Sequence, residues 1–314
     1  GYNFARNNPD RLLPEEEENH WMSQELVAPI SNCLFTAKGG YDKLSACLNA
    51  NKVDLAEGVI AALKEEYPDL KFPLPPAIIV MPDGDSSFYM NRADGAKQWP
   101  PLDGPEFFNG FRKGGSGQYE TYVAYDLVKY IDSKYRTIAD REHRGIGGFS
   151  MGGIGSMNLL LGHPDVFKSV TSLSSPFTLT DMLTDPFSLS FMKGSVTDIP
   201  TVMTYDANPN KDSKIDKKFL MANDPYYRLK NLQRDDVAIY FDAGAGDTFA
   251  GRNNFETFRK FQALLDKKGL KSSPAAHVIP GTEFNAKGMH TGRYWRSRTG
   301  VLIAFHLKAF GMVK

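Results

Sequence analysis

The chain has 314 residues, 41% hydrophobic and 24% charged, which is ordinary for a protein with one sizeable core or two small ones. Lys plus Arg equal Asp plus Glu at 37 each, so no global charge attracts nucleic acid or an acidic membrane surface. No apolar run approaches the roughly 20 residues that span a bilayer, so we predict neither a nucleic-acid nor a membrane partner.

Residues 1–53 contain an acidic run and no clear strand, so we predict an irregular N-terminal segment there. The two cysteines of the chain, Cys33 and Cys47, both fall in this segment. They could form one disulfide of an exported protein or be two unrelated buried thiols, and the sequence leaves both open. A secreted or periplasmic location is favoured over a cytoplasmic one.

We assign residues 54–314 to one α/β domain. Residues 54–67 place Leu55, Val59 and Leu63 on one face, which predicts a helix. A proline-rich break then precedes residues 77–81, whose continuous apolar run predicts a buried strand of the parallel type.

The rest of the chain alternates predicted helices and strands. The helices are at 119–135, 153–161, 255–268 and 301–310, and the strands are at 143–149, 168–174, 237–242 and 275–279. Residues 176–234 are rich in Pro, Asp and Asn, and we predict that they form a cap or lid insertion. Such alternation is typical of a mainly parallel sheet with helices on both faces.

The segment Gly148-Phe149-Ser150-Met151-Gly152 matches Gly-x-Ser-x-Gly, the pattern of a nucleophile elbow. In that turn a serine hydroxyl is exposed between a strand and a helix, and both glycines are expected to avoid a clash with the neighbouring chain. Chance gives the pattern in about one chain in ten of this length, but the predicted strand before it and helix after it supply the required context. The sequence therefore favours Ser150 as a nucleophile over a bystander serine in a structural turn.

A serine nucleophile needs a base and an acid that orients the base. In this fold both follow the serine, acid first, on loops after later strands. Asp247, in a Gly-rich turn just past the strand predicted at 237–242, is the predicted acid, and Asp242 at the strand end is its rival. His290, in a glycine-rich loop after the last predicted strand, is the predicted base.

The other five histidines fit the role of base less well. His20, His143 and His163 precede or adjoin the elbow. His277 and His306 fall within a predicted strand and a predicted helix, so we expect them to be packed structural residues.

Acyl transfer also needs backbone donors for an oxyanion and a wall for the substrate. The amide of Met151, at the start of the elbow helix, is the predicted oxyanion donor, and the second donor is unassigned. Tyr89 and Trp295 are predicted to line a site for an aryl or sugar-linked acyl group, although aromatic residues also fill cores.

No Cys or His spacing indicates zinc and no Gly-rich loop could cradle a phosphate, so we predict no metal and no cofactor. The loop 206–212 alternates oxygen-bearing side chains, but lysines stand where a calcium loop needs its turn glycine and its bidentate Glu, which indicates a plain polar loop. Arg293, Arg296 and Arg298 could favour an acidic substrate, but we expect a solvated helix start.

Three stretches together resemble the esterase D-like "putative esterase" family: residues 78–84, residues 119–137 and the elbow segment 147–153. That family includes S-formylglutathione hydrolases, feruloyl and acetyl xylan esterases, and mycolyltransferases. The resemblance covers about residues 54–310, and it is specific in the central stretch but not in the cap. It implies an α/β-hydrolase fold and a serine acyl-enzyme mechanism, with the triad on the three residues that order and position select.

The resemblance also implies strands before residue 77, one of them followed by a His-Gly loop that gives the second oxyanion donor. Residues 1–76 contain neither feature, and a sheet that starts at residue 77 would leave a hydrophobic edge unpaired. We therefore expect the native protein to extend before Gly1, with an upstream segment or a companion fragment completing the sheet.

The sequence therefore predicts a serine carboxylic ester hydrolase that acts through an acyl-enzyme on Ser150. Its expected partner is a small-molecule or carbohydrate-linked ester, with an aryl or sugar-linked acyl group of the feruloyl or acetyl esterase type. One alternative is a thioesterase of the S-formylglutathione type or an acyltransferase. A further alternative is a non-catalytic binding module on a hydrolase scaffold.

Overall fold

The computed structural model describes residues 22–82, 84, 88–91, 118–178 and 217–314. Most of the predicted cap, the loop 206–212 and His20 lie outside these residues. Within the described ranges, no helix has both the length and the apolar character needed to cross a bilayer.

A parallel sheet forms the centre of the described part. Its strands are β1 (Gly145–Phe149), β2 (Ser169–Leu173), β3 (Ala238–Gly244), β4 (Ser272–Ser273) and β5 (Val278–Ile279). β1, β2 and β3 pair side by side, and β4 and β5 both pair with β3, always in parallel. The prediction of a mainly parallel sheet is therefore confirmed. The strands predicted at 143–149, 168–174 and 237–242 are confirmed as β1, β2 and β3.

The register of the sheet brings three strand ends to one edge. Phe149 of β1 lies opposite Leu173 of β2, which in turn lies opposite Asp242 of β3. Because Ser150 follows Phe149 and Asp247 follows β3, both residues emerge at the carboxyl edge of the sheet, where parallel α/β proteins place their ligands.

Helices cover the sheet. They are α1 (Met22–Thr36), α2 (Tyr41–Ala50), α3 (Ala56–Glu66), α4 (residues 119–134), α5 (Met151–Gly162), α6 (Lys217–Ala222), α7 (Pro225–Asn231), α8 (Arg252–Lys267) and α9 (Gly292–Ala309). The middle of α4, Tyr122–Leu127, is π-helical. Short 3-10 turns occupy Arg141–His143 and Glu283–Gly288.

Two apolar cores lie on opposite faces of the sheet. α1, α2, α3 and α9 pack on one face, where β3 contributes Tyr240. α4, α5, α7 and α8 supply the other core, to which β3 contributes Ile239 and Phe241. Successive strand residues point to opposite faces, so β3 is buried on both sides. This confirms the predicted arrangement of helices on both faces.

The prediction of an irregular N-terminal segment is wrong for most of its described part, because α1 and α2 are helices. Ile30, Leu34, Leu44 and Leu48 are fully buried in the same core as α9. The disulfide Cys33–Cys47 links the two helices, which decides between the two alternatives that the sequence left open.

The predicted strand at residues 77–81 is also wrong. These residues lie outside the described sheet, and the four side chains from Ile78 to Met81 are between 38% and 51% exposed. An apolar run favours a strand, but only pairing with a neighbour makes one. Among the described residues β1 pairs with β2 alone, so the strand that carries the elbow is an edge of the described sheet.

Two later elements differ in length from their predictions. The last strand is only Val278–Ile279, so His277 precedes it instead of lying within it. The closing helix α9 begins at Gly292, nine residues before the predicted start, because the side chain of Thr291 caps it by accepting the Tyr294 N–H.

Candidate active site

Ser150 forms a strained turn between β1 and α5. Its φ of 53° and ψ of −124° are disfavoured for a residue with a side chain, and its N–H donates to the Leu173 carbonyl at 2.9 Å. A Cβ at Gly148 would lie 2.5 Å from the backbone of Gly152, so glycine is required there. At Gly152 a Cβ would meet nothing within 4 Å, and the steric reason expected for both glycines therefore holds only for Gly148.

The structure brings the three predicted triad residues into one hydrogen-bonded chain. His290 Nε2 lies 3.0 Å from Ser150 Oγ, and His290 Nδ1 lies 2.9 Å from Asp247 Oδ2. The Asp247 side chain is fully buried, whereas 25% of the His290 side chain is exposed. This order of hydroxyl, imidazole and carboxylate can activate a serine.

Backbone donors fix the carboxylate of Asp247. Its Oδ1 accepts the N–H groups of Phe249 at 2.9 Å and Ala250 at 2.8 Å, which leaves Oδ2 for His290. Asp247 therefore both closes its own turn and meets the base, with one carboxylate oxygen for each task.

Asp242, the rival acid, lies elsewhere. Its fully buried carboxylate accepts hydrogen bonds from Tyr240, Tyr294 and Arg298. The expected solvated helix start is correspondingly wrong for Arg298, which is only 1% exposed.

Arg293 and Arg296 fit the solvated helix start better. Arg293 is exposed and Arg296 is partly exposed, and both pair with Asp54 at 3.1 Å and 3.2 Å.

The loops that carry Asp247 and His290 touch through glycines. A Cβ at Gly244 would lie 2.2 Å from Gly288 Cα, so the two backbones are in direct contact. Gly288 also has a φ of +67°, a conformation that favours glycine. The glycine content of both loops was visible in the sequence, but their contact was not.

Asn285 shapes the histidine loop and was missed by the sequence analysis. Its Oδ1 accepts the N–H groups of Thr282 at 2.8 Å and Gly288 at 3.1 Å, while its Nδ2 donates to the Pro280 carbonyl at 2.9 Å. One buried amide side chain thereby closes the turn that leads to His290. Reciprocal capping from Thr282 to Asn285 is the signal that could have revealed it.

Aromatic side chains enclose the base. Trp295 is 5% exposed, stacks on Phe149 with a centroid distance of 4.2 Å and meets His290 edge-on at 5.1 Å. Phe249, half-buried, meets His290 edge-on at 5.0 Å. Tyr89 is also half-buried and fills the space beside Gly155 of α5.

Met151 is the first residue of α5, directly after Ser150. Its N–H therefore has no intrahelical acceptor, and the helix dipole makes this end of α5 favourable for negative charge. Among the described residues, no group of His, Cys, Asp and Glu is placed to hold a metal ion.

His306 and His277 are packed structural residues, as predicted. His306 is a half-buried residue of α9 that contacts β2, 2.7 Å from Ser169 Oγ and 3.1 Å from Thr171 Oγ1, and burial lowers its pKa to about 4. His277 lies 2.8 Å from the Phe241 carbonyl, and burial lowers its pKa as well.

His143 and His163 serve other contacts. His143 pairs with Asp140 at 2.8 Å, and His163 lies 2.9 Å from Glu120 and 3.0 Å from the Tyr125 hydroxyl.

The fold and the site together are those of an α/β-hydrolase: a mainly parallel sheet, helices on both faces, and Ser, Asp and His in that chain order at the carboxyl edge. The sequence model of the family described as "Putative esterase" matches residues 63–304. "Esterase Rv1288" from Mycobacterium tuberculosis (strain ATCC 25618 / H37Rv) is 23% identical over 222 residues. That match covers 69% of this chain and 42% of the relative, so the chain spans less than half of the relative's length.

Solved structures that match part of this chain include two enzymes. A ferulic acid esterase is 26% identical, with a TM-score of 0.43 over 68% of this chain and 66% of that chain. An S-formylglutathione hydrolase from Agrobacterium tumefaciens is 16% identical, with a TM-score of 0.47 over 72% of this chain and 64% of that chain.

Proposed function

This chain belongs to the "Putative esterase" family, and from the contacts of Ser150, His290 and Asp247 we propose that it is a serine carboxylic ester hydrolase. The observation that carries the proposal is the unbroken hydrogen-bonded chain from the serine hydroxyl through both imidazole nitrogens to a buried carboxylate. A serine with no chemical role needs neither a strained elbow nor an oriented base.

In the first half of the reaction, Ser150 Oγ attacks the ester carbonyl carbon while its proton moves to His290 Nε2. Asp247 holds the imidazole through Nδ1–H and stabilises its positive charge. The carbonyl oxygen becomes an oxyanion, to which the Met151 N–H donates. His290 Nε2 then protonates the alcohol oxygen, the ester C–O bond breaks, and the alcohol leaves an acyl group on Ser150.

In the second half, His290 removes a proton from a water molecule, whose oxygen attacks the acyl carbon. The tetrahedral intermediate collapses, His290 returns the proton to Ser150 Oγ, and the carboxylic acid departs. Each step uses His290 Nε2, while Asp247, whose side chain is fully buried, stays bonded to Nδ1.

The substrate class is an aryl or carbohydrate-linked acyl ester. Phe249 beside the base offers a half-buried ring, and Met289, the residue before His290, is 50% exposed. Such apolar surface next to a nucleophile favours a planar, apolar acyl group. Trp295 is only 5% exposed, so it packs against His290 and Phe149 and offers a substrate little surface.

Hydrolysis of p-nitrophenyl acetate by the chain and by Ser150→Ala tests the reaction. The variant should lose at least about 10³-fold in kcat, since only the nucleophile is removed. Ser156→Ala is the matched control: it deletes another α5 hydroxyl, which donates only to the Gly152 carbonyl, and should keep its activity. Equal turnover by Ser150→Ala, or none by the wild type, contradicts the proposal.

A substrate panel tests the acyl class. Methyl ferulate and acetylated xylan should be hydrolysed with a higher kcat/KM than S-formylglutathione. Phe249→Ala should raise KM for methyl ferulate more than for p-nitrophenyl acetate, because the ferulate carries its aromatic ring on the acyl group, whereas the acetyl group has no ring to contact Phe249. Tyr130→Ala, which deletes an exposed aromatic residue on α4, is the control. A preference for the thioester indicates the thioesterase alternative.

A further inference from the structure

A buried network of polar groups joins β3 to α9. Asp242 is the centre of the network, and its Oδ1 accepts the Tyr294 hydroxyl at 2.6 Å. Its Oδ2 accepts the Tyr240 hydroxyl at 2.5 Å and Arg298 Nε at 2.9 Å. All four residues are at most 1% exposed, so these bonds form away from water.

The network continues beyond the sheet. The Arg298 guanidinium also donates to the Tyr240 hydroxyl and, at 3.1 Å, to Glu66 Oε1 at the end of α3. Burial raises the pKa of Tyr294 and Tyr240 well above 10, so both phenols stay protonated and donate to Asp242. Every oxygen of the central carboxylate is therefore satisfied by a directional bond.

The members of the network flank the two triad loops in sequence. Asp242 lies five residues before Asp247, and Tyr294 lies four residues after His290. The Tyr294–Asp242 hydrogen bond thus ties β3, which leads into the acid loop, to α9, which follows the histidine loop. Between these anchors the loops meet through Gly244 and Gly288, which have no side chains to fix their relative position.

Burying these charges is costly, and well-packed apolar residues can give equal or greater stability. What a buried, fully bonded pair adds is a defined geometry between the elements it joins. The contact that depends on how the two loops meet is that of His290 with Asp247, at 2.9 Å. A displacement of about 1 Å at such a contact can cost on the order of 100-fold in rate.

We propose that Asp242, Tyr294 and Arg298 are positioning residues that hold His290 against Asp247, an inference that rests on the proposed function for its kinetic consequence. None of the three contacts the reacting atoms: they act through the loops on either side. The rival acid Asp242 thereby has a role of its own, different from that of Asp247.

Tyr294→Phe tests the proposal by removing one hydroxyl without changing the shape of the ring. The expected result is a fall in kcat of about tenfold for p-nitrophenyl acetate, with KM within about twofold. Thr299→Val is the matched control, because it deletes a buried α9 hydroxyl that donates only to the Trp295 carbonyl within the helix. A merely structural role predicts similar falls in Tm and in kcat for both variants.

A second readout does not depend on turnover. The proton on His290 Nδ1, bonded to Asp247, should give a downfield NMR resonance that is absent in His290→Gln. We expect it to persist in Thr299→Val and to be lost or broadened in Tyr294→Phe. Equal kcat in the two variants, an unchanged resonance in Tyr294→Phe, or no such resonance in the wild type overturns the proposal. Absence of ester turnover by the wild type instead contradicts the proposed function, and the resonance then decides the positioning role alone.

Discussion

His290 and His306 each contact a serine hydroxyl, and they lie in different regions of the molecule. At the carboxyl edge of the sheet, His290 Nε2 is 3.0 Å from Ser150 and its other nitrogen meets the buried Asp247. Between α9 and the sheet, His306 Nδ1 is 2.7 Å from Ser169 and its other nitrogen meets another hydroxyl, Thr171.

The difference shows that a Ser–His contact does not by itself make a nucleophile. His290 has a carboxylate to stabilise its protonated form and an exposed edge to meet a substrate. His306 has no carboxylate partner among the described residues, because its ring nitrogens contact the hydroxyls of Ser169 and Thr171. Burial lowers its pKa to about 4, so it stays neutral near pH 7 and is a weak base. The buried carboxylate beside His290 is what distinguishes the two regions.

The largest expected difference between the two regions is in the kcat of His290→Gln and His306→Gln. His290→Gln removes the base, so kcat for p-nitrophenyl acetate should fall about 10⁴-fold. His306→Gln removes a histidine with a shorter serine contact, yet it should keep kcat within about threefold. Steady-state kinetics of the two variants check this, and a comparable loss in both contradicts the assignment.

Asp247→Asn should have the next largest effect. The amide keeps the shape but loses the charge that stabilises the imidazolium, so kcat should fall about 10³-fold. Asp242→Asn, the same change at the rival carboxylate, should reduce kcat less, since Asp242 acts only through position. A larger loss at Asp242 than at Asp247 would reverse the two roles.

His306 should make the fold sensitive to acid. Its pKa is lowered by burial from 6.5 to about 4, so the unfolded state binds more protons between these values. The free energy of unfolding should therefore fall as pH drops from 6.5 to 4, by up to about 3 kcal/mol, and change no further from this residue below pH 4. Denaturant titrations across this range check the slope, which His306→Gln should lose and His290→Gln should retain.

Ser169→Ala should have the smallest effect. It removes one buried hydroxyl bonded to His306, so unfolding should become easier by about 1–2 kcal/mol while kcat stays unchanged. Urea unfolding and kinetics on the same preparation check both halves. A fall in kcat as large as that of Ser150→Ala would mean that Ser169 takes part in catalysis, which contradicts the assignment of Ser150 and His290 as the catalytic pair.

The carboxyl-edge residues could be predicted from sequence because their signals are local. The elbow pentapeptide contains its own glycines, and Asp247 and His290 each follow a strand in a Gly-rich loop. The contact between Gly244 and Gly288 could not be predicted, since it depends on how two loops about 40 residues apart in the chain meet. The Asn285 turn is local, and the capping pair Thr282 and Asn285 was the signal for it.

The buried network could not be predicted for a related reason. Arg298 stands near two other arginines at the start of a helix, where a solvated side chain is the usual outcome. Its burial depends on Asp242, 56 positions earlier in the chain. The opposite error occurs at residues 77–81, where the sequence predicts a buried strand. This apolar run has no strand partner among the described residues, and four of its side chains are partly exposed.

The most direct test of the account is covalent labelling with a fluorophosphonate, followed by peptide mass spectrometry. An activated serine attacks the phosphorus, whereas an ordinary serine does not. We predict one adduct per chain, on the peptide that contains Ser150, and none on Ser169 or in His290→Gln. No adduct on the wild type, or an adduct on another serine, would contradict the assignment of Ser150 as the nucleophile of an esterase.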